Sequence, residues 1–194
     1  MRTIRVITWV ALLVTLCGCT NAALIKGGST NTRNDVFQVI AGGEKPLPDY
    51  SRLTVSCSVK TIRACGFRVG SKDSHAGMTL IVNIDGQMVR VPAVLSREES
   101  DTIGTPVSEA GCGIRQSFAV QLQLPAGRHR LIAAIPEEGV AVGEKITLAS
   151  GTENVLQLRP HYRGEEPSRL GPYTATSFRE GIYGLTAVLN GSRI

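Results

Sequence analysis

Between Leu53 and Leu158 apolar residues return at every second position in short runs closed by glycine and proline, and this period limits what the chain can fold into. Successive side chains of a strand point to opposite faces, so a run with period two buries one face and wets the other. In the run Leu53 to Lys60 the residues Leu53, Val55, Cys57 and Val59 share a face, which makes Cys57 a small buried hydrophobe rather than a reactive thiol. In the run Gln116 to Leu124, Phe118, Val120, Leu122 and Leu124 share one face while Gln121 and Gln123 alternate with them. Met78 to Val91 places β-rich runs on both sides of Asp85-Gly86, a pair that supplies the positive φ values of a type I′ hairpin turn. Arg128 to Ile135, Gly143 to Leu148 and Asn154 to Leu158 add short strands separated by Pro136-Glu-Glu-Gly139 and Ser150-Gly151. Strands at this spacing predict an all-β fold, an antiparallel β-sandwich. Residues 92–113, with two prolines and three glycines, are expected to form a long surface loop. Gly181 to Asn190 is expected to add a last strand that docks the C-terminal segment on the domain.

The start of the chain has a different plan. Arg2 and Arg5 precede an apolar run from Val6 to Leu16 that ends in Leu16-Cys17-Gly18-Cys19. A basic start, a short apolar stretch and a small residue before a cleavage point make up a secretory signal. The run is too short for a permanent span, which needs about 20 apolar residues. Leu16, Gly18 and Cys19, at the −3, −1 and +1 positions, resemble the lipobox of bacterial lipoproteins. That resemblance implies cleavage between Gly18 and Cys19, a diacylglyceryl group on the Cys19 thiol, and attachment to a membrane of the bacterial cell envelope. Thr20, standing where an aspartate would favour retention at the inner membrane, points to the outer membrane. A freely secreted chain with a chance cysteine is the alternative. Thr20 to about Asn34 is rich in Asn, Gly, Ser and Thr and is expected to be a flexible tether. The organisation expected is a signal peptide over 1–18, a lipidated cysteine and tether over 19–35, and a single sandwich domain over 36–194.

With Arg2 and Arg5 leaving with the signal, 19 basic side chains face 16 acidic ones, a mature balance of +3. Acids and bases are interspersed and aromatics are few, so the basic stripe with stacking platforms that nucleic-acid binding needs is not present, and no nucleic-acid partner is expected. Once Cys19 is committed to lipid, Cys57, Cys65 and Cys112 remain, an odd number. If a disulfide forms, Cys65 with Cys112 is favoured, since both lie in glycine-flanked irregular segments. A zinc site from those two cysteines and His75 is the weaker alternative, and neither a metal nor another cofactor is expected.

The order of Asn83-Ile-Asp-Gly86, Leu124-Pro-Ala-Gly-Arg-His-Arg-Leu131 and Leu148-Ala-Ser-Gly151, each turn entering a strand, resembles transthyretin-like and PEGA-type sandwiches of bacterial envelope proteins, over about residues 78–159. The sandwich this resemblance implies is immunoglobulin- or transthyretin-like, and the long 92–113 connection departs from that compact pattern. The segment Thr176 to Ile182 resembles the ends of uncharacterised bacterial lipoproteins, a likeness that implies no activity.

Candidate chemistry is sparse. His75, His129 and His161 share no metal-ligand spacing, and the acid pairs Glu98-Glu99, Glu137-Glu138 and Glu165-Glu166 suit solvated turns better than carboxylates flanking a scissile bond. No catalytic residue is assigned. Arg128, His129 and Arg130, with Arg159, His161 and Arg163, would make a patch for phosphate or sugar-acid groups if the strands that carry them were neighbours. The function expected is a non-enzymatic binding or assembly module held to the membrane by lipid, with an envelope protein or polysaccharide as partner. An accessory subunit of a secretion or electron-transfer complex is the alternative, and a hydrolase or metal-dependent enzyme the third.

Overall fold

A computed structural model of the chain describes residues 20–41, 46–61, 77–98, 109, 111, 113–163 and 177–194. Cys17, Gly18, Cys19, Cys65, His75, Cys112 and the Glu165-Glu166 pair lie outside the described residues, and so therefore do the cleavage site, the lipidation site and the favoured disulfide. The described residues are mostly strand, in two sheets with one helix.

Sheet A takes β1 (Gln38–Val39), β2 (Tyr50–Thr61), β5 (Val94–Glu98), β6 (Gly113–Pro125), β9 (Glu153–Tyr162), β10 (Ile182–Leu189) and β11 (Ser192–Arg193). Sheet B takes β3 (Thr79–Ile84), β4 (Gln87–Pro92), β7 (Gly127–Ile135) and β8 (Val140–Leu148), in the order β4-β3-β7-β8. The sheets face each other over one core. Leu53, Val55 and Leu122 from sheet A, with Leu80, Val82 and Leu131 from sheet B, are wholly buried in it. The alternation read from the sequence is the reason: Leu53, Val55, Cys57 and Val59 of β2, and Phe118, Leu122 and Leu124 of β6, all point inward. The expected hairpin is present, with Asp85 and Gly86 at φ 49° and 95° between β3 and β4.

Three features depart from expectation. The sheets are not purely antiparallel, because β2 pairs with β6 antiparallel but with β9 parallel, from Arg52 opposite Glu153 to Cys57 opposite Leu158. This follows from the connectivity. After the β7–β8 hairpin of sheet B the chain turns at Gly151 (φ 69°) and re-enters sheet A beside β2 in the same direction. The stretch expected to be loop over 92–113 contains β5, paired antiparallel with β6 from Val94 opposite Ser117 to Glu98 opposite Gly113.

The third departure is the segment expected to be a tether. Thr20–Gly28 is a helix, α1, lying on the outer face of sheet B. Leu24 and Ile25 pack with Met88, Ile81, Ala134 and Ala141, and Lys26, Ala22 and Ala23 face outward. Two glycines permit the approach: a Cβ at Gly143 would lie 3.0 Å from Leu24 Cδ2, and one at Gly28 would lie 2.9 Å from Ile132 Cγ2. The segment that follows is tied to the β3–β4 hairpin. Asn83 Nδ2 donates to the carbonyls of Gly28 (3.1 Å) and Thr30 (3.0 Å), and the amides of Thr32 and Arg33 donate to Gly86 O. The side chain of Gln87 accepts from the amides of Val36 (2.6 Å) and Phe37 (2.9 Å) and donates to Phe37 O (2.8 Å), taking the place of a strand partner. A nine-residue helix is too short to hold in water alone, so packing sustains it. Gly143→Val should therefore release α1 from the sheet. Amide exchange over residues 20–28 is expected to accelerate by at least tenfold while that of β2 and β6 is unchanged.

Candidate functional site

The six residues read as one anionic-ligand patch do not come together. β7 carries Arg128, His129 and Arg130 in sheet B, whereas β9 carries Arg159 and His161 in sheet A, followed by Arg163. Strand alternation divides the first trio as well, leaving Arg128 and Arg130 exposed on the outer face of sheet B while His129 turns inward. His129 is buried, with Nδ1 2.8 Å from Asp85 Oδ2 and Nε2 2.9 Å from Pro125 O. Asp85 Oδ1 also accepts from the Arg130 amide at 2.7 Å. The pair thus joins the β3–β4 turn to the entry of β7 and is structural. His161 Nε2 lies 2.5 Å from Thr186 Oγ1, with Tyr183 tilted against its ring at 5.8 Å. Cys57 is free and buried, and burial pushes its thiol up to about 12, as suits an inert core residue.

Two arrangements that the sequence did not reveal take the place of that patch. The first is an ionic cluster at the end of sheet A where β2 and β9 finish. Lys60, whose side chain is 1% exposed, donates through Nζ to the carbonyls of Glu109 (2.8 Å) and Gly111 (2.5 Å), pairs with Glu98 Oε2 at 3.1 Å and sits 5.2 Å above the Phe178 ring. Arg115 binds Glu98 through Nε and NH2, Glu109 Oε2 through NH2 at 2.9 Å, and Ser58 Oγ through NH1 at 2.9 Å. The Tyr162 hydroxyl donates to Glu109 Oε1 at 2.8 Å and accepts from the Lys60 amide at 2.9 Å. Hydrogen bonding from Arg115 holds the Glu98 carboxyl below its ordinary value against the opposing effect of burial, and Lys60 assists. Burial first, then Glu109, pushes the Tyr162 phenol up, so it stays a donor. A cleft of about 310 Å³ opens beside the cluster, with Gln157 and Arg159 on its wall. Every charge in the cluster already has a partner of opposite sign, which suits locking the four strands β2, β5, β6 and β9 together better than moving a proton.

That chemistry has a pH signature. A carboxyl held below its unfolded value contributes stability above that value, 4.5 for an unperturbed group, and the contribution fades as pH falls through the lower folded value. Glu98→Gln is therefore expected to lose stability at neutral pH and to show a flatter decline below about pH 4.5 than wild type, as read from urea midpoints across an acid series.

The second arrangement is the outer face of sheet B beside α1. Arg130 and Lys145 are direct cross-strand partners, and Arg128 stands two positions from Arg130 on the same face opposite Thr147. All three basic side chains are exposed, and among the described residues none has a carboxylate within 4.0 Å. A groove of about 480 Å³, lined by Leu24, Arg130, Gly143, Glu144, Lys145 and Ile194, runs between this row and the helix. Two like charges placed directly across a ladder repel. Such a row is stable at low cost only where water or an anion compensates it.

No family model matches the chain, and neither a curated protein nor a solved structure matches it.

Proposed function

We propose that this chain is a lipid-anchored protein of the bacterial cell envelope, a non-catalytic binding or assembly module attached through Cys19 to the outer membrane. The observation that carries the reading is the position of α1. The helix Thr20–Gly28 follows Cys19 directly in the sequence and is packed on sheet B, so the chain is held to the β domain from Thr20 onward. A domain meant to range freely from its membrane would gain from a soft linker there. The immunoglobulin-like or transthyretin-like assignment belongs to the same proposal and draws support from the two-sheet architecture and the turn-strand order over 78–159. Two or three acyl chains, at about 0.8 kcal/mol per buried methylene, would make the attachment long-lived.

The test is intact mass and membrane fractionation of wild type and Cys19→Ala produced in a bacterial host. Wild-type protein beginning at Cys19 with added acyl mass, and loss of Cys19→Ala from the membrane fraction, are expected. Two soluble proteins of unmodified mass would overturn the proposal.

A second reading, an accessory subunit of a larger envelope complex, draws on the edge of sheet A. Among the described residues two short strands, β1 and β5, cover only parts of the outer edge of β6, and Val39, Val94 and Leu95 on them are 58%, 72% and 39% exposed. An unprotected edge carrying apolar side chains suits pairing with a strand of another chain.

A further inference from the structure

We infer that the outer face of sheet B, with Arg128, Arg130 and Lys145 beside α1, rests on the anionic lipid headgroups of the membrane that holds Cys19, an inference built on the lipid-anchor reading above. The first support is position. α1 crosses sheet B from β8, where Leu24 packs on Gly143, to β3, where Asn83 holds Gly28. Among the described residues β8 forms one edge of sheet B and β4 the other, so the start of the helix lies on the β8 side. Thr20 is four residues from Leu24, about 6 Å along a helix, and Cys19 is within about 3.8 Å of Thr20. Lys145 is two residues from Gly143 along β8, about 7 Å. Covalent geometry therefore keeps the lipid-bearing residue within about 20 Å of the basic row, with no slack chain from Thr20 onward.

The second support is charge. The row holds three cations with no carboxylate within 4.0 Å among the described residues, two of them in direct cross-strand register, and the outward side of α1 adds Lys26 with no acidic residue in its first turn. Glu144, half-buried, is the carboxylate that lines the neighbouring groove. Each basic side chain at an anionic surface strengthens attraction by about 1 kcal/mol, roughly fivefold, within a Debye length of about 8 Å. The acyl chains fix the domain near the bilayer, and the basic row selects which face turns toward it. The outer face of sheet A, with Gln157, Arg159 and Tyr183, is then presented away from the membrane.

The experiment uses protein extracted from bacterial membranes and reconstituted into two kinds of vesicle, phosphatidylcholine alone and phosphatidylcholine with about a third phosphatidylglycerol. Acetylation of Lys145 by an amine reagent is followed by mass spectrometry. The expected result is slowing by on the order of tenfold in the anionic vesicles, lost in about 1 M salt, where the Debye length is about 3 Å. Arg128→Glu with Arg130→Glu should abolish the protection while Lys145 remains as reporter, and Arg159→Glu with Arg163→Glu, the same charge change away from that face, should leave it intact. Equal acetylation in both vesicles, with acyl mass and flotation verified, would overturn the inference and leave the lipid anchor standing. If the protein carries no acyl group, the anchor reading fails, and co-flotation decides the face itself. Salt-sensitive flotation with anionic vesicles alone, removed by the Arg128 and Arg130 changes, would keep it; no flotation, or flotation indifferent to those changes, would overturn it.

Discussion

Lys60→Ala should lower the unfolding free energy by about 3–5 kcal/mol, the range for removing one partner from a buried charge network. The ammonium is 1% exposed and serves three acceptors, so its loss strands the carbonyls of Glu109 and Gly111 and leaves Glu98 to Arg115 alone. The aliphatic stem matters too. A Cβ at Gly113 would meet Lys60 Cε at 2.9 Å, and Phe178 lies beneath the ammonium, so truncation also opens a void. Lys60→Met separates the two effects. It keeps the stem and should recover the packing part while still leaving the oxygens unpaired. The check is urea denaturation at neutral pH, where a fall in midpoint at constant slope reports stability itself. A loss below about 1 kcal/mol for Lys60→Ala would mean that the cluster behaves like exposed ion pairs.

Phe118→Ala is expected to cost a similar amount, about 3–5 kcal/mol, by a different route. Phe118 is 1% exposed and stands opposite Cys57 in the β2–β6 ladder, where the inner face of sheet A meets sheet B. Its removal leaves a cavity that neighbouring β-branched residues, restricted at χ1, fill poorly. For a chain of this size the melting temperature should fall by roughly 6–20 °C. Leu95→Ala, at a residue 39% exposed on edge strand β5, is the control and should change stability by about 0.5 kcal/mol or less. Because burial keeps the Cys57 thiol protonated and inaccessible, its modification by a thiol reagent reports the opening that Phe118→Ala makes more frequent.

The placement of the basic residues shows where local pattern stops carrying information. Arg128, His129 and Arg130 are adjacent in sequence, yet in a strand adjacency means opposite faces, so His129 joins Asp85 while Arg128 and Arg130 face outward with Lys145. The alternation was visible, and it would have separated the trio. That Lys145 and not Arg159 completes the row was not visible, because it depends on β7 pairing with β8 in one sheet and β9 lying in the other. The ionic cluster hid for the same reason. Lys60, Glu98, Arg115 and Tyr162 are separated by 17 to 102 positions, and nothing local marks them as partners.

The amino-acid sequence by itself determined the main strands outside 92–113, the inward face of β2 and β6, the Asp85-Gly86 hairpin and the burial of Cys57, since each depends on side-chain alternation or on a turn residue's own φ preference. Only the tertiary structure decided that Thr20–Gly28 is helix, that β2 lies parallel to β9, and which charges meet. In isolation nine residues with two terminal glycines do not repay the entropy of helix nucleation. Sheet B supplies the missing free energy through the apolar surface under Leu24 and Ile25, and that surface exists only once β3, β7 and β8 have assembled.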